Sequence, residues 1–158
     1  MSQMQEQTFN KTSAATAGLP QSSDDGEVRP VAWDVMTAYQ QIASRKVMLI
    51  DARTHSAYTH LRIPDARSIP MQTLGEAGAL LKDINQTTPI CVYCSSGALS
   101  KIAAAAFARC GYTEVYYIKT GFDGWQEKRL PCVTEINGEL VQVVIDRVGF
   151  SAPVLVLN

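Results

Sequence analysis

The stretch PICVYCSSGALSKIAAAAFARCG, Pro89 to Gly111, decides the fold. Its opening run is apolar and ends on a thiol, Cys94. A loop of small residues plus one leucine follows, Ser95 to Leu99, and then an alanine-rich run that stops at Gly111. A short, wholly apolar run reads as a strand covered on both faces. The alanine run reads as a helix starting near Ser100, with Gly111 placed to end it in a left-handed cap. The chain thus places a cysteine at the carboxyl end of a buried strand and surrounds it with nothing bulky.

The same grammar extends to both sides. VMLIDAR, Val47 to Arg53, is a second apolar run that ends in charge, and EVYYIKTG, Glu114 to Gly121, is a third. Before them, VAWDVMTAYQQIASRK reads as a helix: Asp34 can cap it, and Val35, Ala38, Tyr39 and Ile42 recur at helical spacing. LGEAGALLKDI, Leu74 to Ile84, reads as a further helix, and FDGWQEKRLPC as a short helical turn. In THSAYTHLRIPDARSIP, Pro64 and Pro70 are expected to break any regular element. Strands alternating with helices argue for an α/β fold with a small, mainly parallel sheet. Ligands of such sheets sit beyond the carboxyl ends of the strands, where LIDAR and CVYC place their polar and nucleophilic groups.

Composition bounds the rest. The 158 residues, 46% hydrophobic and 18% charged, suffice for one domain with a core. A net charge of −1 gives no general attraction to nucleic acid or acidic lipid. No apolar segment reaches the roughly 18 residues of a membrane helix, and MSQMQEQTFN lacks the basic start and apolar centre of a secretory signal. Four cysteines, Cys91, Cys94, Cys110 and Cys132, are too few for a disulfide scaffold, so the expected setting is reducing and cytoplasmic. Residues 1–27, rich in Gln, Ser, Thr, Ala and Asp, read as a flexible tail.

A cysteine in a tight loop ahead of a helix has a specific use. Successive backbone N–H groups in such a turn can form an anion-sized nest, and the helix start adds its unpaired donors. Small side chains let the backbone face the sulfur, and Gly97 admits backbone angles other residues avoid. The alternative is a structural cysteine on a strand-to-helix turn. Cys91 and Cys94 also match a Cys-x-x-Cys pattern, but residues three apart on a strand face opposite ways, about 10 Å apart. A disulfide needs Cα atoms within roughly 7 Å. His55 and His60 have no helical ligand spacing and no cysteine pair nearby, so they read as surface residues, and no metal or other cofactor is expected.

Three segments together resemble the single-domain rhodaneses, or rhodanese-like sulfurtransferases. LIDART with AYTHLRIPDARSIP resembles the family's Asp-x-Arg strand end and the segment after it. VYCSSGALS resembles its active-site loop, and GYTEVYYIKTGFDGWQEKRLP its closing segment. The resemblance spans Val28 to Val133 and implies helices on both faces of the sheet. It implies Cys94 as the nucleophile that carries a sulfane sulfur as a persulfide. Ser95, Ser96, Gly97, Ala98, Leu99 and Ser100 would form the substrate loop, with Asp51, Arg53 and Lys101 in support. Arg53 has two readings, one orienting the loop or an anionic substrate and one as a salt-bridged structural residue. Gly121 and Trp125 match structural positions of the family, Trp125 as core, and Cys110 and Cys132 read as structural. The implied partners are a small sulfur donor such as thiosulfate and a thiophilic acceptor, cyanide in an assay and a thiol or protein in a cell.

This chain departs from the family where charge is concerned. Basic residues common in the family's loop are replaced by Ser95 and Leu99, and the loop is uncharged. A dianion such as thiosulfate then lacks a side-chain clamp, which favours a neutral or protein-borne donor, or weak thiosulfate activity. Phosphatases of similar fold place an Arg where this chain has Ser100, so phosphoryl transfer is not expected. The rival reading is a non-catalytic rhodanese-like module that binds other proteins, against which stands the retained Cys94.

Residues 134–158 lie beyond the resemblance. EINGEL carries an Asn-Gly turn between apolar residues, a hairpin signal. LVQVVIDRVGF also fits a helix face of Leu140, Val143, Val144, Arg147 and Val148, and PVLVLN reads as a strand. So apolar an end needs cover, either from its own domain or from a second copy in a homodimer.

Overall fold

The computed structural model describes residues 21–22, 28–145 and 154–156. The first described elements are three strands: β1 (Gln21–Ser22), β2 (Val28–Arg29) and β3 (Val31–Trp33). β1 pairs antiparallel with β2, so strand pairing already begins within the segment read as a tail; the other residues of 1–27 lie outside the described ones. Helix α1 (Val35–Ser44) follows, capped as its sequence requires: the Asp34 carboxylate accepts from the Thr37 N–H at 2.8 Å. Then come β4 (Met48–Asp51), the short helix α2 (His55–His60), β5 (Arg67–Ser68), a 3₁₀ turn (Met71–Glu76) and the one-turn helix α3 (Ala77–Leu80). β6 (Ile90–Tyr93), α4 (Ser100–Arg109), β7 (Val115–Ile118) and α5 (Gly121–Glu127) complete the central layer.

The main sheet has the order β3-β7-β6-β4-β5, and every pairing in it is parallel. β6 is the middle strand, and all four of its residues are buried. Alternation along the strands divides the core in two. Leu49, Cys91, Tyr93, Tyr116 and Ile118 face α1 and α5, where Val35, Ala38, Phe122 and Trp125 meet them. Ile50, Ile90, Val92 and Val115 face α4, which presents Ala103, Ala104, Phe107 and Ala108. Alanine is the best helix former and lets α4 lie close on the sheet. Helices therefore cover both faces of a parallel sheet, as the sequence implies.

Two expectations for local structure change. The helix read over Leu74 to Ile84 is a 3₁₀ turn and a single α turn; Gly75 and Gly78 weaken the stretch, and the 3₁₀ turn has no side-chain cap. The proline-bounded segment is less irregular than expected, because α2 and β5 fit between Thr54 and Pro70.

The described part of the C-terminal segment is strand. β8 (Cys132–Ile136) and β9 (Glu139–Val144) form an antiparallel hairpin around Asn137 and Gly138, both at positive φ, and β10 (Val154–Val156) pairs with β9. The helical alternative fails over Leu140 to Val144; Arg147 and Val148 lie outside the described residues. The hairpin packs on its own domain: Val143 is fully buried in the same cluster as Cys132 and Trp125. Arg62 and Val133 exchange backbone hydrogen bonds at 3.0 and 2.7 Å, tying β8 to the loop after α2.

Candidate active site

Cys94 follows the last residue of the central strand, and only 5% of it is exposed. The chain turns sharply there because Gly97 adopts φ +95°. A Cβ at Gly97 would stand 1.9 Å from the Lys119 carbonyl oxygen, so no other residue fits. This turn aims the Gly97 N–H at the Cys94 sulfur, 3.1 Å from Sγ. Ser100, fully buried at the start of α4, donates its hydroxyl to the Gly97 carbonyl at 3.0 Å. That bond braces the loop, and Ser100, which the resemblance placed among substrate-binding residues, is not among the residues that line the cleft.

The loop is also held from behind. The N–H groups of Phe122 and Asp123, at the start of α5, donate to the carbonyls of Cys94 and Ser95 at 2.8 and 2.9 Å. That approach requires glycine at position 121, with φ +63°: a Cβ there would lie 2.6–2.7 Å from the Cys94 oxygen, the Gly97 nitrogen and the Ser95 oxygen. The sequence marks Gly121 as structural without indicating what it touches.

Above the sulfur lies a cleft of about 260 Å³ lined by Ala52, Arg53, Thr54, Ala57, Met71, Gln72, Cys94, Ser95, Ser96 and Leu99. Ser95, Ser96 and Leu99 thus stand where the resemblance puts substrate contacts. Gly97 reaches the sulfur through its backbone, while Ala98 and Lys101 do not line the cleft. Ala52, Thr54, Ala57, Met71 and Gln72 complete the lining; Ala57 stands where the resemblance leads one to expect a Glu, and Met71 and Gln72 arrive from the 3₁₀ turn with no motif to announce them.

Arg53 lines the cleft and is at the same time salt-bridged to the strand end. Its guanidinium grips the fully buried Asp51 carboxylate through three hydrogen bonds of 2.7–3.1 Å, and Nη2 also donates to the Leu61 carbonyl. It lies 4.3 Å from the Phe122 ring centroid. Burial works against its charge, but Asp51 more than compensates and holds its pKa above the usual value. The Tyr93 hydroxyl donates at 2.7 Å to Asp51 Oδ2, the oxygen that also accepts from Arg53 Nη2; burial first, then that carboxylate, push the phenol well up and keep it neutral. The strand-end pair thus anchors Tyr93, the residue before the cysteine.

Among the other thiols, Cys91 faces the core and burial pushes its pKa strongly up, and burial likewise pushes Cys132 up to about 12. The four cysteines are free thiols. Trp125 is 2% exposed and donates its indole N–H to the Pro131 carbonyl at 2.8 Å, a core residue with its polar atom satisfied. His55 and His60 are exposed. Among the described residues no group of three or more His, Cys, Asp or Glu is gathered to hold a metal, and no helix is long and apolar enough to cross a membrane.

A family model, the Rhodanese-like domain, matches residues 34–128. Solved structures show the same fold. A Bacillus halodurans protein shares 25% identity at a TM-score of 0.58, covering 65% of this chain and 75% of that one. The rhodanese-like domain of the Anabaena sp. Alr3790 protein shares 17% identity at a TM-score of 0.60, covering 80% and 92%. A thiosulfate sulfurtransferase of Pseudomonas aeruginosa shares 21% at 0.57, covering 68% of this chain but 20% of its own. With the family model covering more than half of its length, and with a parallel sheet, a strand-end cysteine and a glycine-shaped loop in place, the chain belongs to the rhodanese-like domain family.

Proposed function

We propose that this protein is a sulfurtransferase that carries a sulfane sulfur on Cys94. The single observation that supports this reading is the Gly97 N–H aimed at the Cys94 Sγ on the floor of an accessible cleft. A structural cysteine needs neither the donor nor the opening. The Cys94 thiolate attacks the outer sulfur of the donor, forming an Sγ–S bond as the donor's S–S bond breaks. The electron pair departs with the donor, as sulfite in the case of thiosulfate. The backbone donor stabilises the charge on Sγ before attack. An acceptor nucleophile then attacks the outer sulfur, the Sγ–S bond breaks, and its electron pair returns to Sγ as thiolate. Cyanide would leave as thiocyanate, a thiol as a persulfide.

The test is intact-protein mass spectrometry after brief exposure to sulfur donors, beside Cys94→Ala. A gain of one sulfur atom in the wild type alone, reversed by cyanide or a thiol, supports the reading. No gain from thiosulfate or from organic persulfides would sink it and leave a rhodanese-like module that binds other proteins, with the half-exposed Leu99 and Ile102 beside the loop as its contact residues.

A further inference from the structure

The cleft over Cys94 holds a paired cation and no free one. Of its described lining residues only Arg53 is charged, and that guanidinium is committed to Asp51 and to the Leu61 carbonyl, with 9% of its side chain exposed. Withdrawing it to meet a substrate would leave the buried Asp51 carboxylate without its cation, a strongly unfavourable exchange. Lys101 is exposed on α4 and lies outside the lining. The walls are instead Ala52, Ala57, Met71 and Leu99, with the neutral groups of Thr54, Gln72, Ser95 and Ser96. A cleft of about 260 Å³ is below the roughly 300–1,000 Å³ typical of drug-sized ligands. It suits one small molecule with an apolar flank.

From this we infer that the sulfur donor is a small organic persulfide, R–S–SH with an uncharged carbon group R, and that thiosulfate is a poor donor. This rests on the sulfurtransferase reading above and names its substrate class. The carbon group lies against Met71, Leu99, Ala52 and Ala57, which places the terminal sulfur at Sγ. Attack by the Cys94 thiolate on that terminal sulfur forms Cys94–S–SH and breaks the donor's S–S bond. The electron pair leaves on R–S⁻, and the terminal hydrogen stays with the transferred sulfur. A single developing charge leaves with the donor, whereas thiosulfate brings two charges into walls that offer no cation to meet them.

The experiment measures the rate of sulfur gain at Cys94 by rapid-quench intact mass spectrometry with two probes, thiosulfate and 2-hydroxyethyl persulfide. Each rate is divided by that of the same donor with a free small thiol, which removes intrinsic reactivity. The expected result is a normalised preference for the persulfide of about 10- to 100-fold, the scale of a missing charge-assisted contact. Leu99→Arg, at a half-exposed rim position, is expected to raise the thiosulfate rate and narrow that preference, with the far-UV circular dichroism unchanged. Equal normalised rates, or a faster thiosulfate reaction, would overturn the inference while leaving Cys94 a sulfur carrier. Failure of both donors to load Cys94 would overturn the sulfurtransferase reading itself.

Discussion

The backbone N–H of Phe122 donates to the carbonyl of Cys94 at 2.8 Å. The cysteine at the end of the central strand is therefore held by the start of a helix that comes much later in the chain. Gly121, one residue earlier, permits this approach. Gly121→Ala is expected to push the two segments apart and to lower the rate of Cys94 sulfur loading by about 100-fold, the scale of a 1 Å misplacement of a reacting group. Quenched mass spectrometry of the variant beside wild type checks it. Wild-type rates would show that the loop holds its shape unaided.

Arg53 and Asp51 form a buried ion pair whose value lies in support. Removing the cation in Arg53→Met leaves a fully buried carboxylate with only Tyr93 and the Arg53 backbone N–H as partners. The expected loss of folding stability is about 3–5 kcal/mol, read as a shift in the urea unfolding midpoint. A change of a few tenths of a kcal/mol would mean that water reaches Asp51.

Thiol chemistry separates the cysteines. Burial raises the pKa of Cys91 and brings that of Cys132 to about 12, so both stay protonated at pH 8 and below. Their thiolate fraction in the folded protein grows only as the pH climbs toward those raised values. Iodoacetamide at pH 8 is expected to label Cys94 and to spare Cys91 and Cys132, with peptide mapping as the readout. Labelling of Cys91 in the folded protein would contradict the core assignment.

The C-terminal hairpin contributes to the core it packs on. Ending the chain after Ile136 removes Val143, whose side chain is worth about 1.5–3 kcal/mol when fully buried, and leaves β8 an open edge. The shortened protein is expected to melt several degrees lower, by differential scanning calorimetry. An unchanged melting temperature would show that the hairpin is an appendage.

How far the sequence carried depended on how local each signal was. The three apolar runs, the Asp34 cap and the Asn137–Gly138 turn depend on neighbours a few residues away, and all were legible. Cys94 and its loop were legible because strand, small residues and helix are contiguous. Met71 and Gln72 were not, because they lie on a 3₁₀ turn more than twenty residues before the cysteine and only the tertiary fold brings that segment to the cleft. Arg53 was ambiguous for a similar reason. A charged residue at a strand end serves a ligand or the scaffold according to what faces it, and Leu61 and Phe122 come from elsewhere in the chain. Gly75 and Gly78 mislead differently, since a plausible helical pattern did not weigh two weak helix formers in succession.

The support that α5 gives the cysteine loop has a consequence for the order of assembly. A nascent chain that has emerged as far as Ser100 contains the cysteine, Gly97 and every small residue between them, but not Lys119, Gly121, Phe122 or Asp123. The contacts that fix the turn come from the end of β7 and the start of α5, so they need residues 119–123 to be present. The cysteine loop can therefore gain these braces only once the chain has been made past residue 123, about thirty residues beyond the thiol they hold.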